Sequence, residues 1–139
     1  MNHSRVAMIL ACLIVIVISP AALGSAQTSK PQAKVIALQS QGQDVTPVLS
    51  GPPETVTMRS GFVVLAPGKS VGKHSTQQNE ELLVILDGEG EMTFRDGSKL
   101  AVRESTALYC PPETEHNVTN TGTRPLRYVY IVARALPKH

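Results

Sequence analysis

Apolar and polar positions divide the chain into three textures. Val6 to Ile18 is one unbroken apolar run. Gln27 to Pro53 is polar and irregular, and its one short apolar piece, Lys34 to Leu38, suits an edge strand. Beyond Pro53, short strand-forming stretches are separated by turn residues. Thr55 to Ala66 is rich in Thr, Val and Phe, and Pro67-Gly68 turns it. Glu81 to Leu86 is almost wholly apolar, as expected of a strand covered on both faces. Asp87-Gly88 ends it. Glu91 to Arg95 alternates, with Met92 and Phe94 on one face, and Asp96-Gly97 offers a tight hairpin. Two more strands fit between Leu100 and Tyr109, another runs from His116 to Thr119, and Leu126 to Ala133 closes the series. No stretch holds a convincing helical period over a dozen residues. At least seven short strands within roughly 80 residues call for an all-β sandwich or barrel, and a closed barrel also covers its edges.

The first texture moves the start of the fold. Arg5 precedes the apolar run, Pro20 breaks it, and Gly24, Ser25 and Ala26 place small side chains before Gln27. This is the layout of a secretory signal peptide, cleaved after Ala26. The run of 13 residues is short beside the ~20 that a spanning helix needs; an uncleaved anchor is the alternative. The 139 residues therefore divide into a signal peptide at 1–26, an N-terminal arm or linker at 27–53 and a barrel at 54–136. We expect an exported chain, periplasmic or secreted, with no stable membrane association after cleavage.

Charge and cysteine content narrow the picture further. The mature part keeps 12 basic and 11 acidic residues, without a Lys/Arg cluster. Nucleic-acid binding thus has no electrostatic support. Cys110 is the only cysteine left after cleavage. No intramolecular disulfide can form, so burial must hold the domain together. Tyr109 and Pro111 flank this thiol at the end of an apolar strand, which suggests a buried, inert group.

Three polar residues stand out against this background. His74 and His116 each follow turn residues at a strand end, and Pro111-Pro112 stiffens the turn before His116. His74 and Glu81 bracket the polar turn STQQNE, which lets both side chains point into one cavity. Two imidazoles and a carboxylate form a common metal-binding set with positions left over for water or substrate. The plainer reading makes both histidines surface turn residues and Glu81 a solvated carboxylate. Period-two alternation places Glu81, Leu83 and Ile85 on one face and Glu80 on the other.

Two spacings shift this balance. Gly68 is followed after five residues by His74, and Glu81 after six by Gly88. Further on, Pro111, His116 and Asn120 keep fixed steps from one another. These resemble the two conserved motifs of the cupin family, in order, across roughly Thr55 to Ala133. The resemblance implies a cupin-like double-stranded β-helix, or jelly-roll barrel. It also implies a mononuclear metal site at His74, Glu81 and His116, holding one divalent ion such as Mn, Fe, Ni, Cu or Zn. Three positions depart from the motifs. Thr76 occupies the place of the second motif histidine, the usual fourth ligand, and Ser105 and Glu113 replace motif glycines. Gln78 offers an amide oxygen that can substitute for the missing ligand if the turn curls inward. Water can also fill the place.

The resemblance implies a small-molecule ligand, and the family's oxygenases, decarboxylases and isomerases leave the reaction type open. Three ligands with open positions mildly favour oxygenase chemistry. The rival is a non-catalytic ligand-binding or structural cupin with a degenerate metal site. Phe94, Tyr109 and Tyr128 are candidate substrate-binding walls, together with Phe62 and Tyr130. Pairing into a homodimer, with the 27–53 arm swapped onto a second barrel, is a further expectation. Asn117-Val118-Thr119 also fits an N-glycosylation acceptor, a triplet that arises readily by chance.

Overall fold

The computed structural model describes residues 30–135. The expected signal peptide at 1–26 lies outside these residues, as does His139. The chain forms eight strands: β1 (Val45–Ser50), β2 (Arg59–Leu65), β3 (Asn79–Asp87), β4 (Glu89–Phe94), β5 (Lys99–Arg103), β6 (Ala107–Cys110), β7 (His116–Asn120) and β8 (Leu126–Arg134). Five make one sheet in the order β1-β2-β8-β3-β6, and three make a second in the order β5-β4-β7. Every named pairing is antiparallel. The two sheets face each other as a jelly-roll barrel, the double-stranded β-helix that the motifs imply.

Turn chemistry delivers the chain from one sheet to the other. The turn at Gly88 carries it from β3 in the large sheet to β4 in the small one. Gly88 has φ +82°, and a Cβ there would sit 2.6 Å from the carbonyl oxygen of Pro125, so only glycine fits. Asp96-Gly97 makes the β4–β5 hairpin, with Phe94 N–H donating to the Ser98 carbonyl at 2.9 Å. The segment after Gly68 runs beside the free edge of β7 and is tied to it by bridges at Ser70–Thr119 and His74–His116. The small sheet thereby gains an irregular fourth edge.

Alternating side chains fill the interior. Val63, Leu65, Leu83, Ile85, Met92, Val102, Leu108, Val118, Leu126 and Tyr128 form one buried cluster. It plugs one end of the barrel. Asn120 closes that end: its side-chain amide donates to the carbonyls of Leu65 and Arg124, and its oxygen accepts from Gly122 N–H. A buried amide satisfied on three sides joins β7, β2 and the turn before β8, which explains the asparagine of the second motif.

Two strand expectations need correction. Lys34 to Leu38 forms no strand, and Val35 is fully exposed. The edge strand is β1, drawn from within the 27–53 arm and paired with β2 over Val45↔Val63 to Ser50↔Arg59. A β-branched, apolar run carries strand propensity but cannot show which run meets the sheet in register. Nor is Glu81 to Leu86 covered on both faces, because Leu82 and Leu86 are 36% and 42% exposed on the outer side of β3. The strand buried on both faces is β2, where Ser60, Gly61, Phe62 and Val63 are all buried.

Candidate metal centre

The open end of the barrel is built from one row of facing positions. In register, Arg59 pairs with Val132, Val132 with Glu81, and Glu81 with Cys110. His116, the first residue of β7, approaches from the small sheet. His74 reaches it through a reciprocal backbone pair: His74 N–H donates to the His116 carbonyl at 3.0 Å, and His116 N–H to the His74 carbonyl at 2.9 Å. This bridge holds the imidazoles side by side, 4.4 Å between ring centroids and 61° between planes.

The backbone also fixes which ring nitrogen faces inward. His74 Nδ1 lies 2.9 Å from the Gly72 carbonyl and His116 Nδ1 lies 3.0 Å from the Thr114 carbonyl. A carbonyl only accepts, so each Nδ1 carries the hydrogen and each Nε2 keeps its lone pair for the cavity. His116 is 1% exposed and Glu81 5%; His74 is exposed at the mouth.

The decisive atom is Glu81 Oε2. It lies 3.1 Å from His116 Nε2, yet it is buried without a hydrogen-bond partner. The separation is within reach, but the ring N–H would not point along it. In the tautomer that the Thr114 carbonyl sets, Nε2 and Oε2 are both acceptors, and a cation shared between them would satisfy both. Two ligands at right angles on one divalent ion, each at ~2.1 Å, stand about 3 Å apart. The ligand atoms of His74, Glu81 and His116 all lie within 4.8 Å of one another. Ligands on opposite sides of such an ion are about 4.2 Å apart, so a side-chain shift of less than roughly an ångström closes the set. These residues fit a divalent cation, and an ion held there would polarise a coordinated oxygen.

Charge in the site follows from burial and from Glu81. Burial pushes the His116 imidazole down, but the adjacent Glu81 carboxylate and the Thr114 carbonyl outweigh it and leave the group above its ordinary value. Burial, then the Glu81 charge, pushes the Cys110 thiol up to about 11. It is therefore a protonated, non-nucleophilic group, and its sulfur lies 3.2 Å from His116 Nδ1, packing the ring from behind. Tyr128 and Tyr130 are also raised by burial and by Glu81.

Beside this group opens a cavity of about 550 Å³, lined among others by Arg59, Thr76, Gln77, Asn79, Tyr128 and Tyr130. Several candidate positions fall elsewhere. Tyr109 is 55% exposed on the outer face, where its hydroxyl donates to Glu80 at 3.1 Å; the wall assignment is corrected because Leu108 and Cys110 take the inward positions of β6. Phe94 pairs with His116 across the small sheet and packs on the core, but does not line the cavity. Phe62 points to the opposite face of β2 from Val63. Gln78 does not line the cavity either; Gln77 does, because a left-handed turn (φ 54°) presents it there. The Thr76 hydroxyl donates to the Asn79 carbonyl at 2.8 Å and caps its own turn. Sequence reasoning missed Arg59, Gln77 and Asn79. Extending the alternation of β2 back from Val63 through Gly61 would have pointed to Arg59.

Two facing antiparallel sheets closed into a small barrel define a cupin architecture, and the comparisons agree. The Cupin_2 cupin-domain model matches residues 61–132, and the chain belongs to this family. An uncharacterised protein of Methanocaldococcus jannaschii, MJ1618, is 34% identical over 64 residues, covering 46% of this chain and 50% of its own length. The chain thus spans about half of that relative. A cupin 2 conserved barrel domain protein from Salinispora arenicola superposes with a TM-score of 0.62 at 20% identity, covering 75% of this chain and 92% of that one. A cupin protein from Bacteroides fragilis gives 0.58 at 23% identity, covering 80% and 92%. At these identities the solved structures establish the fold alone.

Proposed function

We propose that this chain is an exported cupin that holds one divalent metal ion through His74, Glu81 and His116 and acts on a small organic molecule in the adjoining cavity. Oxygenase-type chemistry is favoured over decarboxylation or isomerisation. The observation that carries the reading is the buried, unpartnered Glu81 Oε2 beside His116 Nε2. Leaving a buried carboxylate oxygen without a donor costs stability, and a cation resolves it. Two histidines and one carboxylate with further positions open is the donor set of non-haem iron oxygenases. The chain's own part is to fix both Nε2 lone pairs through backbone carbonyls and to keep Glu81 and His116 away from bulk water behind the lumen wall. Export rests on the layout of residues 1–26 and predicts a mature chain beginning at Gln27.

A second reading is supported by Thr76, whose hydroxyl is spent on the Asn79 carbonyl. With no fourth protein ligand, the barrel could serve as a non-catalytic binder of a small molecule. Elemental analysis of the purified protein separates the two readings. One equivalent of a first-row divalent metal, lost in His116→Ala, supports the metal centre. Oxygen consumption by the iron-loaded protein with a panel of phenols, sugars and organic acids then supports the oxygenase. Metal retention without turnover across the panel supports the binder. A folded protein that refuses added metal contradicts the metal centre and supports the non-catalytic binder.

A further inference from the structure

We propose that the cavity takes a short organic acid, with one carboxylate held by Arg59 and a second oxygen group directed toward the His74, Glu81 and His116 donors. The inference deepens the metal-site reading and rests on it for the second end of the ligand and for the net positive charge of the cavity, whereas the carboxylate anchor rests on Arg59 alone.

Among the residues lining the cavity, Arg59 and Glu81 alone are charged. Glu81 belongs to the His116 side of the site. Arg59 makes no ion pair and no side-chain hydrogen bond among the described residues. Lys69, Lys73, Arg95, Arg103 and Arg134 are likewise unpaired among the described residues, so what singles out Arg59 is its place in the cavity wall. With a divalent ion in place, the lining carries a net charge of about +2, counting the ion, Arg59 and ionised Glu81. Such a cavity selects an anion.

The local geometry places a second donor beside the guanidinium. Arg59 and Gly61 project from the same face of β2, and Gly61 pairs with Tyr130. A Cβ at Gly61 would fall 2.5 Å from a Tyr130 ring carbon and 2.7 Å from its hydroxyl oxygen. The phenol therefore lies flat over a bare backbone position, and no protein acceptor takes its O–H among the described residues. The Arg59 charge acts on this phenol, opposing the upward push from burial and Glu81. The Arg59 stem passes over Gly51, where a Cβ would meet its Cγ at 3.2 Å. Bare glycine backbone thus seats both donors.

Spacing limits the ligand. Arg59 and Glu81 are separated by β8 alone in the sheet, so their backbones stand about 10 Å apart. Both residues line the one cavity, and that interval leaves room for a short carbon chain. A guanidinium fork with one phenol O–H matches a planar carboxylate. A phosphate dianion would call for more cations or a nest of backbone N–H groups at that end, and Arg59 is the only cation there.

The test is calorimetric titration of the full chain with succinate, with neutral succinamide and with inorganic phosphate. Each is run on wild type and Arg59→Gln, with and without one equivalent of zinc. The expected result is succinate binding that weakens about tenfold or more in Arg59→Gln. Zinc stoichiometry should be unchanged, and succinamide should bind weakly and equally to both proteins. Tyr130→Phe should give a smaller loss for succinate. Equal succinate affinity in wild type and Arg59→Gln overturns the proposal. So does no succinate binding to wild type, succinamide binding as tight as succinate, or Arg59-dependent phosphate binding tighter than that of succinate. Should zinc not be held, the metal reading fails separately. The zinc-free titrations then decide: Arg59-dependent succinate binding sustains the carboxylate anchor, and its absence ends it.

Discussion

Glu81 stands at 5% exposure with one oxygen lacking any donor. An apolar side chain of similar length would pack the same space without that penalty. Above the folded His116 value, where the imidazole is neutral, Glu81→Met should therefore stabilise the metal-free protein, by about 1–3 kcal/mol, while abolishing metal retention. Urea unfolding in the presence of a chelator measures the first effect, and metal analysis the second. A metal-free variant less stable than wild type would mean that Glu81 serves the fold rather than an ion. His116 tolerates the change because a neutral imidazole keeps its Nδ1–H on the Thr114 carbonyl at 3.0 Å.

At the scale of elements, the turns carry more of the design than the strands. Ser105 and Glu113 stand where the motifs place glycine, and both keep the left-handed backbone, with φ 64° and 59°. The chain pays for that geometry with non-glycine residues. Ser105→Gly and Glu113→Gly should each stabilise by roughly 0.5–1 kcal/mol, the left-handed cost removed less the added chain entropy of glycine. Thermal unfolding tests this, and a loss of stability in both variants would contradict it. The same turns explain what the sequence could convey. Motif spacing located His74, Glu81 and His116 because each follows or ends a turn of fixed length. Alternation separated lumen-facing Glu81 from Glu80, which accepts from Tyr109 outside. What depends on cross-strand register and on neighbouring layers was not legible: the Arg59–Val132–Glu81 row, the pairing of β1, and the lack of any layer over the Leu82 and Leu86 face of β3. Tyr109 was placed inward although Leu108 and Cys110, its neighbours in alternation, already filled that face.

For the whole molecule, the proton and the metal ion compete for one nitrogen. The His116 imidazole is raised in the fold, chiefly because the Glu81 carboxylate and the Thr114 carbonyl outweigh the effect of burial. A raised folded value means that the native state holds the proton more tightly than the unfolded chain. Its contribution to stability is fully present below the unfolded imidazole pKa of about 6.5 and is lost as pH rises through the higher folded value. Metal-free protein should therefore lose stability as pH climbs through neutrality. Metal affinity should move the opposite way and weaken as pH falls through the same range, because the ion needs the deprotonated Nε2. Melting curves from pH 6 to about 8.5, with chelator and with excess zinc, should show these opposite slopes. Metal-free stability that climbs across that window would contradict the assignment of His116.

The account stands or falls on three donors gripping one cation, and anomalous diffraction from zinc-treated crystals tests that most directly. It should show a single strong peak about 2.1 Å from Nε2 of His74, a carboxylate oxygen of Glu81 and Nε2 of His116. Zinc bound only at the surface, with no density between those three side chains, would contradict it.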